Sequence, residues 1–325
     1  MFDYLVYGLP CRSDFQLPGL TPGSSHASPE LEFRFRQLPE PRNPEWTSYY
    51  THEQIDEIGR ATLQLDMSES AGLYRFRYAD GTTFVMNITA TDVWADWCPP
   101  LTLEDTLTYL LGPIMVFALR LRGALCLHAS VVDINGEAVA FLAPAGGGKS
   151  TLAARLAKRG FPVLSDDALV LDWRDGLPYA LPGYPRLRLW SDSVEQLFGT
   201  SDALPLLTPN WDKRFLPLDE GGFDFRDQAL PLGAIYFLDE WRNNAGETTI
   251  VEATRQRAMM TLIANSSQNL LLTASMRRNE FEAVGKLISK VPVREVCPQS
   301  PEQFLSDFDA SILSDFRTLH QPVHV

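Results

Sequence analysis

Phe141-Leu-Ala-Pro-Ala-Gly-Gly-Gly-Lys-Ser-Thr151 is the stretch that decides how this chain folds. An apolar run ends in a glycine-rich turn, and Lys149-Ser150-Thr151 opens a segment with helical spacing. Leu152 with Leu156, and Ala153 with Ala157, share helical faces up to Arg159, and Gly160 stands where a left-handed residue closes a helix. Such a turn places backbone N–H groups, an ammonium and a hydroxyl around one polyphosphate. The run fits the relaxed phosphate-loop pattern, with Ala143 in the position of its first glycine. Ala145, Gly146, Gly147, Gly148, Lys149, Ser150 and Thr151 are the expected nucleotide contacts. A pattern this loose also arises by chance, so its flanks carry the assignment.

Upstream, Val131 to Ile134 and Glu137 to Leu142 are short apolar or alternating runs separated by Asn135-Gly136. Both turn residues tolerate positive φ, which makes Asn-Gly between such runs a strong signal for a type I′ hairpin. The second strand then enters the glycine turn, and the turn enters a helix N-terminus, where free N–H groups and the helix dipole favour an anion. Downstream, Phe161-Pro-Val-Leu-Ser165 reads as a strand ending in Asp166-Asp167. Acidic residues at the end of a strand beside a phosphate loop are where nucleotide enzymes hold Mg²⁺. Two adjacent carboxylates offer one for the metal and one for taking a proton from an attacking hydroxyl, although Asp-Asp can also simply open a solvated turn.

Taken together, Leu127-His128-Ala-Ser-Val-Val-Asp133, the Asn135-Gly136 hairpin, Ala143 to Thr151 and Leu164-Ser-Asp-Asp167 resemble the catalytic core of the HPr kinase/phosphorylase family. The resemblance covers about residues 125 to 173. It implies an α/β fold with a phosphate-loop core similar to that of phosphoenolpyruvate carboxykinase. It also implies ATP and Mg²⁺ as cofactors. Carried over position by position, Lys149 binds the β- and γ-phosphates, and Ser150 and Asp167 serve the metal. Asp166 takes the proton from a substrate serine, and His128 stands beside the site. Arg214, in the loop-like Lys213-Arg214 region, would act on the transferring phosphoryl group. The chain departs from the family at Ala143, in lacking the glycine-rich segment of bifunctional members after the core, and in its N-terminal part. Leu-His-Ala-Ser, Pro-Arg-Leu-Arg-Leu-Trp and Leu-Gly-Ala-Ile-Tyr look more like the divergent serine kinases of peptide tailoring pathways, lasso peptides among them.

That resemblance implies an ATP-dependent kinase acting on a serine of a peptide or small protein. HPr itself as substrate with phosphorylase activity, a small-molecule kinase, and a nucleotide sensor without turnover remain open alternatives. Family members are often hexameric, so a homo-oligomer is compatible with the resemblance.

The chain has 325 residues, 45% of them hydrophobic, and a net charge of −13. Its length suits a β-rich N-terminal domain over residues 1–100, with substrate recognition as a candidate role, and a catalytic domain over 101–325. The charge argues against nucleic acid as a partner, since phosphate-backbone binding needs clustered cations, and it is compatible with a basic peptide. Cys11, Cys98, Cys126 and Cys297 are far apart and form no metal-like pair, so reduced buried thiols are expected. No basic segment followed by a long apolar one opens the chain, and Tyr109 to Leu119 is too short to span a bilayer. A cytoplasmic enzyme without membrane contact is the expectation.

Along the rest of the chain, Leu31 to Arg36, Leu73 to Tyr78 and Thr82 to Ile88 alternate like strands, while Pro18 to Pro44 is rich in loop residues. Tyr74, Phe76 and Tyr78 suit either a peptide-binding face or the core of the small domain. Leu103 to Arg122 reads as a helix, and Leu171 to Tyr184 as a mobile connection punctuated by Gly and Pro. Arg186 and Arg188 face one side of a strand, which suits either phosphate or carboxylate binding or a plain solvated strand face. Pro231 to Leu238 is a buried strand, Arg255 to Ser266 a helix, Val291 to Val296 an edge strand, and Pro301 to Phe316 an amphipathic helix.

Overall fold

The computed structural model describes residues 1–23, 28–56, 59, 61–219, 221–239, 248–297 and 308–319. It is a mixed α/β structure with three sheets. The first sheet holds β1 (Phe2–Val6), β2 (Leu9–Ser13), β3 (Leu31–Phe35), β4 (Thr47–Thr51), β5 (Leu63–Ser68), β6 (Leu73–Tyr78), β7 (Thr83–Asn87) and β8 (Asp92–Asp96) in the order β1-β2-β3-β8-β7-β6-β5-β4. The segment from Pro18 to Pro44 therefore contains β3, a strand in the sheet's interior. Tyr74 and Phe76 point inward and meet Phe117 edge-on, so they belong to a core rather than to an open binding face.

Phe117 comes from the helical run that follows, α1 (Leu103–Tyr109), one π turn over Leu110–Ile114, and α2 (Met115–Leu121). The expected helix is thus one run with a kink at Gly112-Pro113, because proline lacks the N–H that an α-ladder needs. Thr102 and Asp105 cap its start reciprocally. The run covers one face of the first sheet, and Ala168, Val170, Tyr184 and Leu271 from the later part of the chain join the same core.

The central sheet comprises β9 (Leu125–Leu127), β10 (Ala129–Ile134), β11 (Glu137–Leu142), β12 (Val163–Ser165), β13 (Leu169–Arg174), β14 (Leu177–Ala180), β18 (Leu230–Leu238), β19 (Thr249–Glu252) and β20 (Val293–Cys297). The small third sheet holds β15 (Arg186–Trp190), β16 (Leu206–Thr208) and β17 (Trp211–Pro217). Helices α3 (Lys149–Lys158), α4 (Ser191–Phe198), α5 (Arg255–Ala264), α6 (Ala274–Leu287) and α7 (Phe308–Leu319), with a 3₁₀ turn over Asn269–Leu271, complete the described structure. Val139 and Phe141 of β11 face α3 and α7, whereas Ala138, Ala140 and Leu142 face α5 and α6. A strand covered on both faces reads as a continuous apolar run, which is why Glu137 to Leu142 hardly alternates.

Asn135 and Gly136 take φ of 57° and 86° between β10 and β11, the expected hairpin. Several expectations are corrected. Leu171 to Tyr184 is largely a second hairpin, β13 with β14, turned at Asp175-Gly176, whose positive φ values suit that turn. The Val291 to Val296 strand is not an edge. Pro292 stops just short of β20, which pairs with β18 on one side and β19 on the other. Lys213-Arg214 lies on β17, not in a loop. Of the Pro301 to Phe316 segment, 301–307 lies outside the described residues, and the helix runs Phe308–Leu319. Cys11, Cys126 and Cys297 are buried free thiols, but Cys98 is exposed. Among the described residues no helix is long and apolar enough to cross a membrane.

Candidate active site

β11 ends at Leu142, residues 143–148 turn, and α3 begins at Lys149. Gly146 and Gly148 have φ of 76° and 85°, where a side chain would be strained. Gly147 is glycine for space, since a Cβ there would lie 2.7 Å from the Ala143 Cβ and 3.0 Å from the Pro144 carbonyl oxygen. Ala143 fits because its methyl packs into the core while Gly147 gives way. The first N–H groups of α3 have no intrahelical acceptor and open toward the turn. Lys149 is buried, and its Nζ donates to the carbonyl oxygens of Ala143 at 2.9 Å and Pro144 at 3.3 Å. Burial pushes its ammonium pKa down, against the pull of Asp166 and Asp167.

β12 runs antiparallel to β10 and delivers Asp166 beneath this turn. Asp166 is 3% exposed. Its Oδ1 accepts from Ser150 Oγ at 2.9 Å and Ser130 Oγ at 2.7 Å, and its Oδ2 accepts from the Arg188 N–H at 2.9 Å. Three donors offset the cost of burying a carboxylate. Burial, then the neighbouring Asp167, still push its pKa up.

Asp167 has a φ of 66° and turns its side chain the other way. Its Oδ2 pairs with Arg188 Nη1 at 2.9 Å, and its side chain is 27% exposed against 9% for Arg188. Burial opposes ionisation, but Arg188, Lys213, His128 and Lys149 together hold this carboxyl below its usual range. Two adjacent acids are thereby driven apart, one toward the proton and one away from it. Arg188 Nη2 also donates to the Tyr184 hydroxyl.

His128, between β9 and β10, has its Nδ1 2.9 Å from the Asp167 carbonyl oxygen. A carbonyl only accepts, so Nδ1 carries a proton. Thr151 Oγ1 lies 2.9 Å from Ser193 Oγ, turned toward α4. The structure thus brings together Gly146 to Ser150, Asp166, Asp167 and His128, and the backbone of Ala145 belongs to the same turn.

Arg214 is placed differently. Its Nη1 donates to the Leu204 carbonyl oxygen at 2.9 Å, and its Nε is buried without a partner. Successive residues on β17 point to opposite faces, and Lys213 is the one whose charge reaches Asp167 and Lys149. Ser130 was not among the expected site residues, and only its place on a strand beside the acidic pair could have suggested it.

No family model matches the chain, and no curated protein does. Among solved structures, it is similar to the HPr(Ser) kinase/phosphatase from Coxiella burnetii, with a TM-score of 0.32 and 14% identity, covering 59% of this chain and 88% of that one.

Proposed function

We propose that this protein is an ATP-dependent kinase that phosphorylates a serine hydroxyl on a peptide or small protein, such as a ribosomally made precursor peptide, in the cytoplasm. The observation that carries the reading is the bond between Ser150, at the start of the helix behind the glycine turn, and Asp166, at the end of the neighbouring strand. It links an anion-binding turn to a pair of acids, the two parts that phosphoryl transfer requires.

In this reading the N–H groups of the turn and Lys149 receive the β- and γ-phosphates. Lys149 would exchange its loop carbonyls for phosphate oxygens, which burial and low dielectric make strong partners. The oxygen-only set of Ser150 and Asp166 fits a hard cation such as Mg²⁺. When bound, that ion supplies charge neutralisation on the phosphates. The acceptor Oγ forms a bond to the γ-phosphorus as the bond from that phosphorus to the bridging oxygen breaks. ADP leaves with that electron pair, and the serine proton passes to a carboxylate.

The roles first expected for the two acids are exchanged here. Hydrogen bonds from Ser130, Ser150 and the Arg188 N–H hold both Asp166 oxygens beside the turn, with a lone pair left on Oδ2, whereas Asp167 keeps Oδ1 without a bonded partner among the described residues. Asp167 therefore takes the proton, and Asp166 serves the metal. Its lowered pKa makes Asp167 a weak base, suited to a transition state in which the proton moves late. Lys213 replaces Arg214 as the cation at the transferring group.

The test incubates purified protein with radiolabelled ATP, Mg²⁺ and a pool of serine peptides, beside the same peptides with alanine for serine, free serine and sugars. Label on serine peptides alone supports the reading. Label on a small molecule, or tight ATP binding with no product, would replace it with a small-molecule kinase or a sensor.

A further inference from the structure

Between the first sheet and the core lies a cavity of about 530 Å³, within the size range of specific ligand sites. Leu5, Tyr184, Phe223 and Phe225 make its walls apolar, and among the described residues no lysine or arginine lines it. Three carboxylates do. Asp219 feels the charge of Arg186, but Asp224 and Asp227 have no ion pair among the described residues. The intervening Arg226 is turned away onto Asp133, at 2.7 Å.

The backbone adds a second, independent observation. Val163 N–H donates to the Asp224 carbonyl oxygen and Arg226 N–H to the Val163 carbonyl oxygen, at 2.9 and 2.8 Å. Phe225 thus sits in a parallel bridge to β12. In such a bridge the N–H and C=O of the middle residue point away from the partner strand. Those of Phe225 have no backbone partner among the described residues. A backbone edge open at a residue that lines the cavity, beside two exposed carboxylates without an ion pair among the described residues, fits a main chain that carries a cation.

We propose that this cavity takes an extended segment of the acceptor polypeptide, paired at Phe225, with a lysine or arginine against Asp224 and Asp227 and apolar side chains beside it. The inference rests on the kinase reading of the neighbouring site. The back wall of the cavity is the segment that supports that site. The Tyr184 hydroxyl accepts from Arg188, the partner of Asp167. A Cβ on Gly183 would meet Ser165 Oγ, next to Asp166, at 2.7 Å. An extended chain advances about 3.3 Å per residue, so peptides of graded spacing measure how far the anchored cation lies from the reacting serine.

The probes are fluorescent serine peptides carrying Leu-Lys-Leu, Leu-Gln-Leu or Leu-Glu-Leu roughly three, five or seven residues from the serine. Their affinity is read by polarisation for the wild type, for an Asp224→Asn/Asp227→Asn variant and for Lys149→Ala. The wild type is expected to bind the lysine series at least about tenfold tighter than the glutamate series. The preference should weaken with salt, vanish in the double variant and survive in Lys149→Ala. Equal affinities, a preference that persists in the double variant, or equally tight binding of free arginine amide would overturn the proposal. Charge preference without phosphate transfer would overturn the kinase reading alone, and transfer without charge preference would overturn the cavity alone.

Discussion

Ser150 Oγ and Asp166 Oδ1 lie 2.9 Å apart, although one opens a helix and the other closes a strand sixteen residues on. The contact fixes the glycine turn against the acidic pair, and the proposed function gives each acid a separate task. Asp166→Asn keeps an oxygen that can accept from Ser130 and Ser150 but removes the charge offered to the metal. Its Mg²⁺ requirement is expected to rise about tenfold or more, seen as a shift in the Mg²⁺ titration of transfer.

Asp167→Asn tests the other half. Nucleotide affinity should stay within a few-fold of the wild type while kcat falls by about 10²–10⁴. Full transfer by this variant, alongside an Asp166→Asn variant that is inactive yet binds Mg²⁺ and nucleotide like the wild type, would return the base to Asp166.

The two variants also part in stability. Asp167 pairs with a nearly buried arginine, so Asp167→Asn leaves the Arg188 charge short of a partner and should cost about 1–3 kcal/mol in denaturant unfolding. Asp166→Asn removes a buried charge whose pKa is raised but turns an amide NH2 toward the Arg188 N–H, so the two effects oppose each other and the net cost should be smaller. The pH dependence follows with opposite signs. Asp167 has a lowered folded pKa, so its contribution is complete above about pH 3.9 and lost as pH falls through the lower folded value. Asp166 has a raised folded pKa, so stability declines as pH climbs from about 3.9 through that raised value, a decline Asp166→Asn should abolish.

Gly147→Ala places a methyl 2.7 Å from the Ala143 Cβ and forces the turn to shift. Overpacking of this kind costs about 1–3 kcal/mol. Nucleotide affinity should fall with it, and an Ala143→Gly/Gly147→Ala pair should recover part of both, as measured by melting with and without ATP.

Arg188→Gln removes the main cation beside Asp167. The acid limb of the pH–rate profile should then move to higher pH, because the carboxyl loses the charge that keeps it ionised. An unmoved limb would contradict Asp167 as the titrating base.

The strand, turn and helix around Lys149 were legible because each local signal agreed with the next: Asn135-Gly136 for the hairpin, glycines where φ is positive, and Gly160 beyond the helix. The acidic pair was legible as a pair. The division of labour proposed for it was not, since that rests on Arg188 and Ser130, which only the tertiary fold brings to it. Asp175-Gly176 carried a hairpin signal that neighbouring prolines obscured. Pro292 suggested an edge because a proline inside a strand would need one, yet it stands just outside β20. Lys213 and Arg214 are adjacent in sequence and opposite in space, a separation that appears once β17 is known to be a strand.

Calorimetric titration with a non-hydrolysable ATP analogue, with and without Mg²⁺, on the wild type and Lys149→Ala tests the central claim most directly. The account predicts Mg²⁺-dependent binding that weakens about tenfold or more in the variant. Absence of binding in the wild type, or affinity indifferent to Lys149, would contradict it.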